Sequence, residues 1–102
     1  MKIFLLKQTI NNTWDTYDSC VVVAENQDAA KRCHPCHHST YLVDEKGYFY
    51  QPNDYEEGKR HYNTFNAHGT WVANIKDISA EYLGEAREGH PGGVICSSFN
   101  AG

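Results

Sequence analysis

Apolar residues near the start of the chain predict two neighbouring strands. Residues 2–9 form a nearly continuous apolar stretch that ends in polar residues, the pattern of a strand buried on both faces. Residues 19–24 are β-branched and apolar, which indicates a second strand. The intervening residues 11–18 have the Asn, Asp and Thr content of a turn. We therefore expect two antiparallel strands joined by a loop.

The end of the chain predicts two more strands. Apolar and polar residues alternate over 78–86, as expected of a strand with one buried face. Residues 94–99 begin with an apolar, β-branched run and predict a last strand. The segment 87–93 contains three Gly and one Pro, which favours a hairpin loop between these two strands. Trp71, Val72 and Ile75 are expected to anchor the preceding segment in the core.

One short helix is predicted after the second strand. Asn26 is a good N-cap, and small apolar residues then recur at helical spacing, which predicts a helix over 27–33. Pro35 prevents its continuation, because proline lacks an amide donor and disfavours helical geometry at the preceding residue. The run CHPCHH at 33–38 therefore straddles the C-terminus of the helix.

The middle of the chain has a weaker pattern. Residues 39–50 hold two short aromatic or β-branched segments around 45–47, which predict a hairpin. Residues 51–70 show no period, and such a long segment without structure is often functional in a compact domain. We predict an α+β fold, with a mainly antiparallel sheet of four to six strands and one short helix packed on one face. The strands expected to share one sheet are 2–9, 19–24, 78–86 and 94–99.

Length and charge exclude several classes of protein. The 102 residues predict a single domain, 1–102. Nine Lys and Arg against 13 Asp and Glu leave a formal net charge of -4, which disfavours a binder of nucleic acid polymers. A small anionic ligand needs only one or two well-placed cations and is compatible with this charge. The apolar run 3–6 is too short for a signal peptide or a membrane span, so we expect a cytoplasmic protein with reduced cysteines.

The run 33–38 offers metal-ligand chemistry. Cys33 and Cys36 form a Cys-x2-Cys pair, which is half of a structural zinc site. The other ligands would have to come from His37, His38, His61 and His68. No second pair has a spacing typical of zinc, so we expect no metal and no other cofactor, with a small zinc-stabilised structural module as an alternative. Dithiol redox catalysis is disfavoured, because the dipole at a helix C-terminus raises the thiol pKa.

Catalytic residues are not recognisable from their spacing. Cys20 and Cys96 fall in apolar strands, where thiols are usually buried packing residues. Glu81 and Glu85 share one strand face and could form an acid–base pair, but exposed glutamates on an open face are the commoner explanation. We therefore expect a binding protein rather than an enzyme.

Aromatic and cationic residues indicate a candidate binding site. Aromatic rings beside cationic and imidazole groups suit a flat ligand that bears phosphates, or else a protein surface. We expect the loop 11–18, the helix end and the loop 55–62 to form one rim. The candidate ligand-binding residues are Trp14, Tyr17, Asp18, Arg32, His34, Arg60 and Tyr62. The alternative is that the aromatic residues pack inward and Arg32 only neutralises the helix C-terminus.

Four stretches of the chain carry a family resemblance. They are DTYDS (15–19), VVVAENQDAAKRCHP (21–35), EYLGEA (81–86) and GVICSSFNAG (93–102). Together they resemble a family of small accessory proteins of tailed phages and prophages. In that family the His-Pro after the helix is typical and the flanking cysteines are not, which disfavours zinc further. The resemblance transfers no catalytic residue, and it implies a phage protein that acts in the bacterial host cytoplasm.

Two mechanisms fit the context that the resemblance implies, because small acidic phage proteins frequently block host defence systems. One is sequestration of a nucleotide-derived immune signal, which we favour because the candidate residues offer stacking and anion-binding groups. The other is direct docking on a host defence protein. We therefore predict a non-enzymatic antagonist of bacterial defence that sequesters a nucleotide-like ligand, with the docking inhibitor as the alternative. A homo-oligomer is compatible with both.

Overall fold

The computed structural model describes residues 1–11, 15–36, 40–53, 55–62 and 70–100. The strands are β1 (Lys2–Lys7), β2 (Thr16–Ala24), β3 (Leu42–Val43), β4 (Phe49–Pro52), β5 (Arg60–Tyr62), β6 (Ser79–Glu85) and β7 (Gly93–Asn100). The helix α1 (Gln27–Lys31) and a 3-10 helix (Ile75–Asp77) complete these elements. The fold is α+β and mainly antiparallel, which confirms the predicted class. Within the described ranges, no helix has the length and apolar content needed to span a lipid bilayer.

The larger sheet contains the four strands predicted from the sequence. Its order is β6-β1-β2-β7, and all three pairings are antiparallel. β1 and β2 are neighbours, as the pattern indicates, with Phe4 opposite Val22 and Leu6 opposite Cys20. β2 begins at Thr16, so part of the segment that was expected to be a loop is strand.

The connection between β6 and β7 differs from the prediction. The two strands lie at opposite edges of the larger sheet, so residues 86–92 cross the sheet end and do not form a hairpin. The Ala86 amide donates a hydrogen bond to the Met1 carbonyl at 2.9 Å. A Cβ on Gly92 would lie 3.2 Å from the Met1 sulfur, so the crossing runs close to the start of β1. The hairpin prediction was wrong because Gly and Pro mark a change of direction but do not specify the partner strand.

One face of the larger sheet carries the core. Phe4 and Leu6 of β1 are buried, whereas Ile3 and Leu5 on the opposite face are only half-buried. The prediction that this strand is covered on both faces was therefore wrong. On the core face, the side chains of α1, β4 and the 70–78 segment pack against the sheet in one hydrophobic cluster. Its members outside the sheet include Ala30, Phe49, Trp71, Val72 and Ile78.

The middle of the chain forms a separate sheet of order β3-β4-β5. The predicted hairpin is present, with Leu42 opposite Tyr50 and Val43 opposite Phe49. β4 extends to Pro52, and β5 pairs with it from within the segment that showed no period. Two of the three strands have only two or three residues, which is too short for a pattern of alternation to be recognised.

The helix α1 begins where predicted and ends earlier. The side-chain oxygen of Asn26 accepts a hydrogen bond from the Ala29 amide at 2.8 Å, which is the geometry of an N-cap. Arg32 is the C-cap, so the predicted end at residue 33 is close to the observed one. Ala30 is fully buried and attaches the helix to the core.

Candidate functional site

A charged groove of about 410 Å³ lies between the end of α1, the turn before β4 and the residues that enter the 3-10 helix. Its charged lining residues are Lys31, Arg32, Lys46, Lys76, Asp28 and Glu45. Four cations and two carboxylates give the lining a net charge of +2, in a chain whose formal net charge is -4. Nearly half of the nine Lys and Arg residues therefore converge on one groove.

The turn that carries Glu45 and Lys46 is organised by Asp44. One carboxylate oxygen of Asp44 accepts hydrogen bonds from the amides of Lys46 and Tyr48, at 2.9 and 2.8 Å. Partial burial opposes ionisation of Asp44, but the amide hydrogen bonds and the Tyr62 hydroxyl stabilise the charged form, so the net effect lowers its pKa. Asp44 is therefore a structural carboxylate that fixes the turn.

A second polar residue, Asn74, connects this turn to the opposite wall of the groove. Its side-chain amide donates to the Lys46 carbonyl at 3.1 Å, and its side-chain oxygen accepts from the Lys76 amide at 2.9 Å. The Ile75 amide also donates to the Gly47 carbonyl at 2.9 Å. Two of these hydrogen bonds hold the segments that carry Lys46 and Lys76 together, and the third orders the 74–76 segment itself.

Both carboxylates of the charged groove already have cationic partners. Asp28 pairs with the Arg32 Nε at 3.1 Å, and Glu45 pairs with an Arg60 Nη at 3.1 Å. A hydrogen bond from the backbone amide of Glu45 itself and the adjacent Arg60 lower the pKa of the Glu45 carboxyl. The other three cations have no carboxylate within salt-bridge distance among the described residues. They are Lys31, Lys46 and Lys76.

Arg60 and Tyr62, two of the predicted site residues, border the same turn. The Arg60 guanidinium lies over the Tyr50 ring, with 4.7 Å between its Cζ and the ring centroid. An Arg60 Nη donates to the Tyr62 hydroxyl at 3.2 Å, and that hydroxyl donates to Asp44 at 2.9 Å. Together with Arg32 in the groove wall, three of the predicted residues are therefore grouped around the 44–47 turn.

Tyr17 and Asp18 are placed elsewhere. Both belong to β2 and not to a loop. The Tyr17 side chain is buried, with its ring edge-to-face against Phe99 at a centroid separation of 4.8 Å, and burial raises its pKa. Asp18 is exposed at an irregularity in the pairing of β2 with β7. The rim expected from the sequence is not formed by these two residues, and Trp14 lies outside the described residues.

His34 packs against aromatic residues in and next to the second sheet. Its ring stacks on Tyr41 with 3.8 Å between centroids and 7° between planes, and it meets the Phe49 ring edge-on at 5.2 Å. Its Nδ1 accepts a hydrogen bond from the Cys36 amide at 3.0 Å. Burial lowers the pKa of His34 to about 4, so it is neutral at physiological pH and does not act there as a cation.

The cysteines carry no assembled metal site in the part of the chain that the structure describes. The Cys33 thiol donates to the Ala29 carbonyl at 3.7 Å, and Cys33 and Cys36 are both free thiols. No group of three or more His, Cys, Asp or Glu residues within that part is arranged to hold a metal ion. The histidines considered as further ligands, apart from the exposed His61, lie outside it: His37, His38 and His68.

A second depression, of about 360 Å³, lies beside β1 and β6 near the start of α1. Phe4 and Tyr82 contribute aromatic rings with centroids 6.0 Å apart, and Lys2 is the one basic residue among its described lining residues. The charged groove suits a multiply charged anion better than this depression does, because the lining of the depression has little positive charge.

Sequence reasoning found Arg32 and missed the three lysines. Lys31, Lys46 and Lys76 are far apart in the chain and belong to different elements, so no local pattern links them. They come together only because the 44–47 turn and the 74–76 segment are bonded to each other beside α1.

Comparisons with known proteins give no match, since no family model, curated protein or solved structure matches this chain. The class that the fold and the site define is a small α+β protein with a cationic groove, and the site itself is the basis for inferring function.

Proposed function

We propose that the protein is a non-enzymatic binding protein that holds a phosphate-bearing small molecule of the nucleotide class in the charged groove. The observation that carries this proposal is the convergence of four cations in an acidic chain. Three of them lack a carboxylate partner among the described residues, so their charges are available to a ligand. Phosphate groups are the biological anions that such a cluster of lysines suits best.

The dimensions of the charged groove support a small ligand over a polymer. Its volume of about 410 Å³ is within the range of roughly 300–1,000 Å³ typical of small-molecule sites. Ile75 is the one large apolar residue among the described lining residues, so recognition is mainly electrostatic. Arg60 and Tyr62 border the same turn through Glu45 and Asp44, and they supply a cationic and aromatic surface for the uncharged part of a nucleotide.

The proposed biological role rests on the phage-protein resemblance in the sequence. In the bacterial host cytoplasm, a protein with this groove would sequester a nucleotide-derived signal and so antagonise host defence. The proposed mechanism involves no turnover, and the ligand is removed by stoichiometric binding. Docking on a host defence protein is the alternative mechanism, and the experiment below distinguishes the two.

Titration calorimetry of the purified protein tests the ligand class. We expect heat of binding with cyclic di-AMP or ATP, weaker binding with pyrophosphate and none with adenosine. The double variant Lys46→Gln, Lys76→Gln should weaken binding by about tenfold or more, because each amino group contributes a charge-assisted hydrogen bond. Raising the salt concentration should weaken binding of the wild type more than that of the double variant.

A matched control uses cations outside the groove. The variant Lys7→Gln, Arg87→Gln changes the net charge equally but leaves the groove lining intact, and it should bind as the wild type does. Equal weakening in both double variants would show a non-specific charge effect and contradict the site. Failure of every phosphate compound to bind, together with co-purification of one host polypeptide, would favour the docking mechanism.

A further inference from the structure

The two edges of the larger sheet are built differently. β6 carries Glu81 and Glu85, and the Tyr82 hydroxyl donates to Glu85 at 2.7 Å, so this edge is charged. β7 is longer, with eight residues, and none of them is charged. Proteins usually protect a free edge with charges, proline, β-bulges or a covering element, because its unpaired amides and carbonyls otherwise pair with another strand. β7 has one β-bulge, at Ile95, because Val21 pairs with Cys96 and Val22 with Val94.

No described element covers the outer side of β7. Among the described strands its only neighbour is β2, and residues 94–100 are all exposed. Three large apolar side chains on this strand are 36–51% exposed. They are Val94, Ile95 and Phe99. An uncharged strand of this length with exposed apolar side chains is a template for β-pairing.

Hydrogen-bond alternation identifies which β7 amides point outward. The Gln8 amide donates to the Asp18 carbonyl directly opposite it, so from Asp18 onward the even-numbered residues of β2 bond to β1 and the odd-numbered ones, such as Ser19, face β7. Ser19 pairs with Ser98, and Val21 pairs with Cys96. The amide and carbonyl of Ser97, between these two pairs, therefore point away from β2.

We propose that the outer edge of β7 is a homodimer interface, at which two copies pair their β7 strands antiparallel about a two-fold axis. In the register that places Ser97 opposite its own copy, Ile95 of each strand, at the β-bulge, lies beside Phe99 of the other. The two most exposed apolar side chains of the strand then cover each other twice. A two-fold axis requires such self-complementarity.

Charge supports a second copy as the occupant. The chain carries a formal net charge of -4, so two copies repel each other over most of their surfaces. β7 is a long surface without a charge, so two copies can approach there without juxtaposing like charges. The pairing joins two four-stranded sheets into one of eight strands and uses no residue of the charged groove.

Sedimentation analysis across a wide range of protein concentration tests the dimer. We expect the wild type to reach twice the 11.6 kDa chain mass. Ser97→Pro should keep the single-chain mass. At protein concentrations too low for the wild type to dimerise it should also keep the wild-type melting temperature, because the Ser97 amide makes no bond to β2. Ile95→Lys, at an exposed position, should also prevent the dimer, whereas Leu83→Lys, on the β6 edge, should not. A wild type that stays at the chain mass, or a Ser97→Pro protein that still doubles it, would overturn the proposal.

Cross-linking tests the register. In a Cys96→Ser background, Ser97→Cys should form a disulfide-linked dimer under mild oxidation, because a directly opposed hydrogen-bonded pair has Cα atoms about 5.5 Å apart, within the range that a disulfide spans. Leu83→Cys in the same background is the matched control and should remain monomeric in a denaturing gel. Equal cross-linking of both variants would show random collision and reject the Ser97 register.

Discussion

At the scale of single residues, burial divides the four cysteines into thiols of different reactivity. Cys20 is buried in the core, and burial, with smaller contributions from Cys33 and Cys96, raises its pKa to about 12. Burial also raises the pKa of Cys33, whereas Cys96 is exposed on β7. Because the thiolate is the reactive species, the raised pKa values disfavour modification at Cys20 and Cys33, whereas exposure favours modification at Cys96.

Iodoacetamide labelling followed by peptide mass spectrometry measures this order. Under native conditions we expect Cys96 to be modified first and Cys20 to be modified only after unfolding in denaturant. A Cys96→Ser variant provides the control, since its fastest labelling phase should disappear. Rapid native labelling of Cys20 would show that the core around β2 opens more readily than its packing indicates.

Protonation of His34 makes the stability of the protein depend on pH. Its folded pKa of about 4 lies below its ordinary value of 6.5, so between these values the unfolded chain binds a proton that the folded protein does not. The free energy of unfolding is therefore highest above about pH 6.5 and falls as the pH decreases towards 4. Between about pH 7 and about pH 5 this residue should cost roughly 2 kcal/mol of stability.

Urea unfolding at several pH values measures that cost. His34→Phe keeps an aromatic ring against Tyr41 and should lose less stability than the wild type on acidification, although it gives up the hydrogen bond to Cys36. His61→Phe, at an exposed position, should retain the full pH dependence. If the wild type and His34→Phe show the same pH dependence, His34 is not the group responsible.

At the scale of elements, the turn before β4 depends on a glycine. Gly47 has a φ of +92°, and a Cβ there would lie 2.8 Å from the Asn74 side-chain oxygen. Gly58 has a similar φ of +83°, but a Cβ there would meet no atom within 4 Å, so this position isolates the backbone strain from the steric clash. The two glycines therefore form a matched pair.

Replacing each of these glycines with Ala should separate the two effects. Gly58→Ala should lower the free energy of unfolding by about 1 kcal/mol, from the left-handed backbone alone. Gly47→Ala should lower it by about 1–3 kcal/mol more, because Asn74 must also move. Denaturant unfolding measures both changes, and equal losses would mean that Asn74 can shift without cost. In the Gly47→Ala protein we also expect weaker phosphate binding, because Asn74 holds the groove walls together.

At the scale of the whole molecule, the groove and the proposed dimer edge use different parts of the fold. The charged groove is formed where α1 meets the second sheet and the 74–76 segment. The dimer edge belongs to the far strand of the larger sheet. Because they share no residue, loss of ligand binding and loss of dimerisation can be measured in separate variants.

The sequence by itself determined the local elements with strong patterns. The apolar runs specified β1, β2 and β7, the Asn26 cap specified the start of α1, and Pro35 limited its end, because these signals act between residues close in the chain. The alternation over 78–86 likewise located β6 to within a residue. The α+β class followed from these elements alone.

Only the tertiary structure decided which distant residues meet. The sheet order that separates β6 from β7, the burial of Tyr17 and the stacking of His34 all depend on long-range pairing, which local pattern does not encode. The charged groove follows the same rule, because Lys46 and Lys76 approach each other through Asn74, a contact across 28 residues of sequence. Charges on separate elements become a site only when packing brings their backbones together, and the free energy of that packing comes from the apolar core.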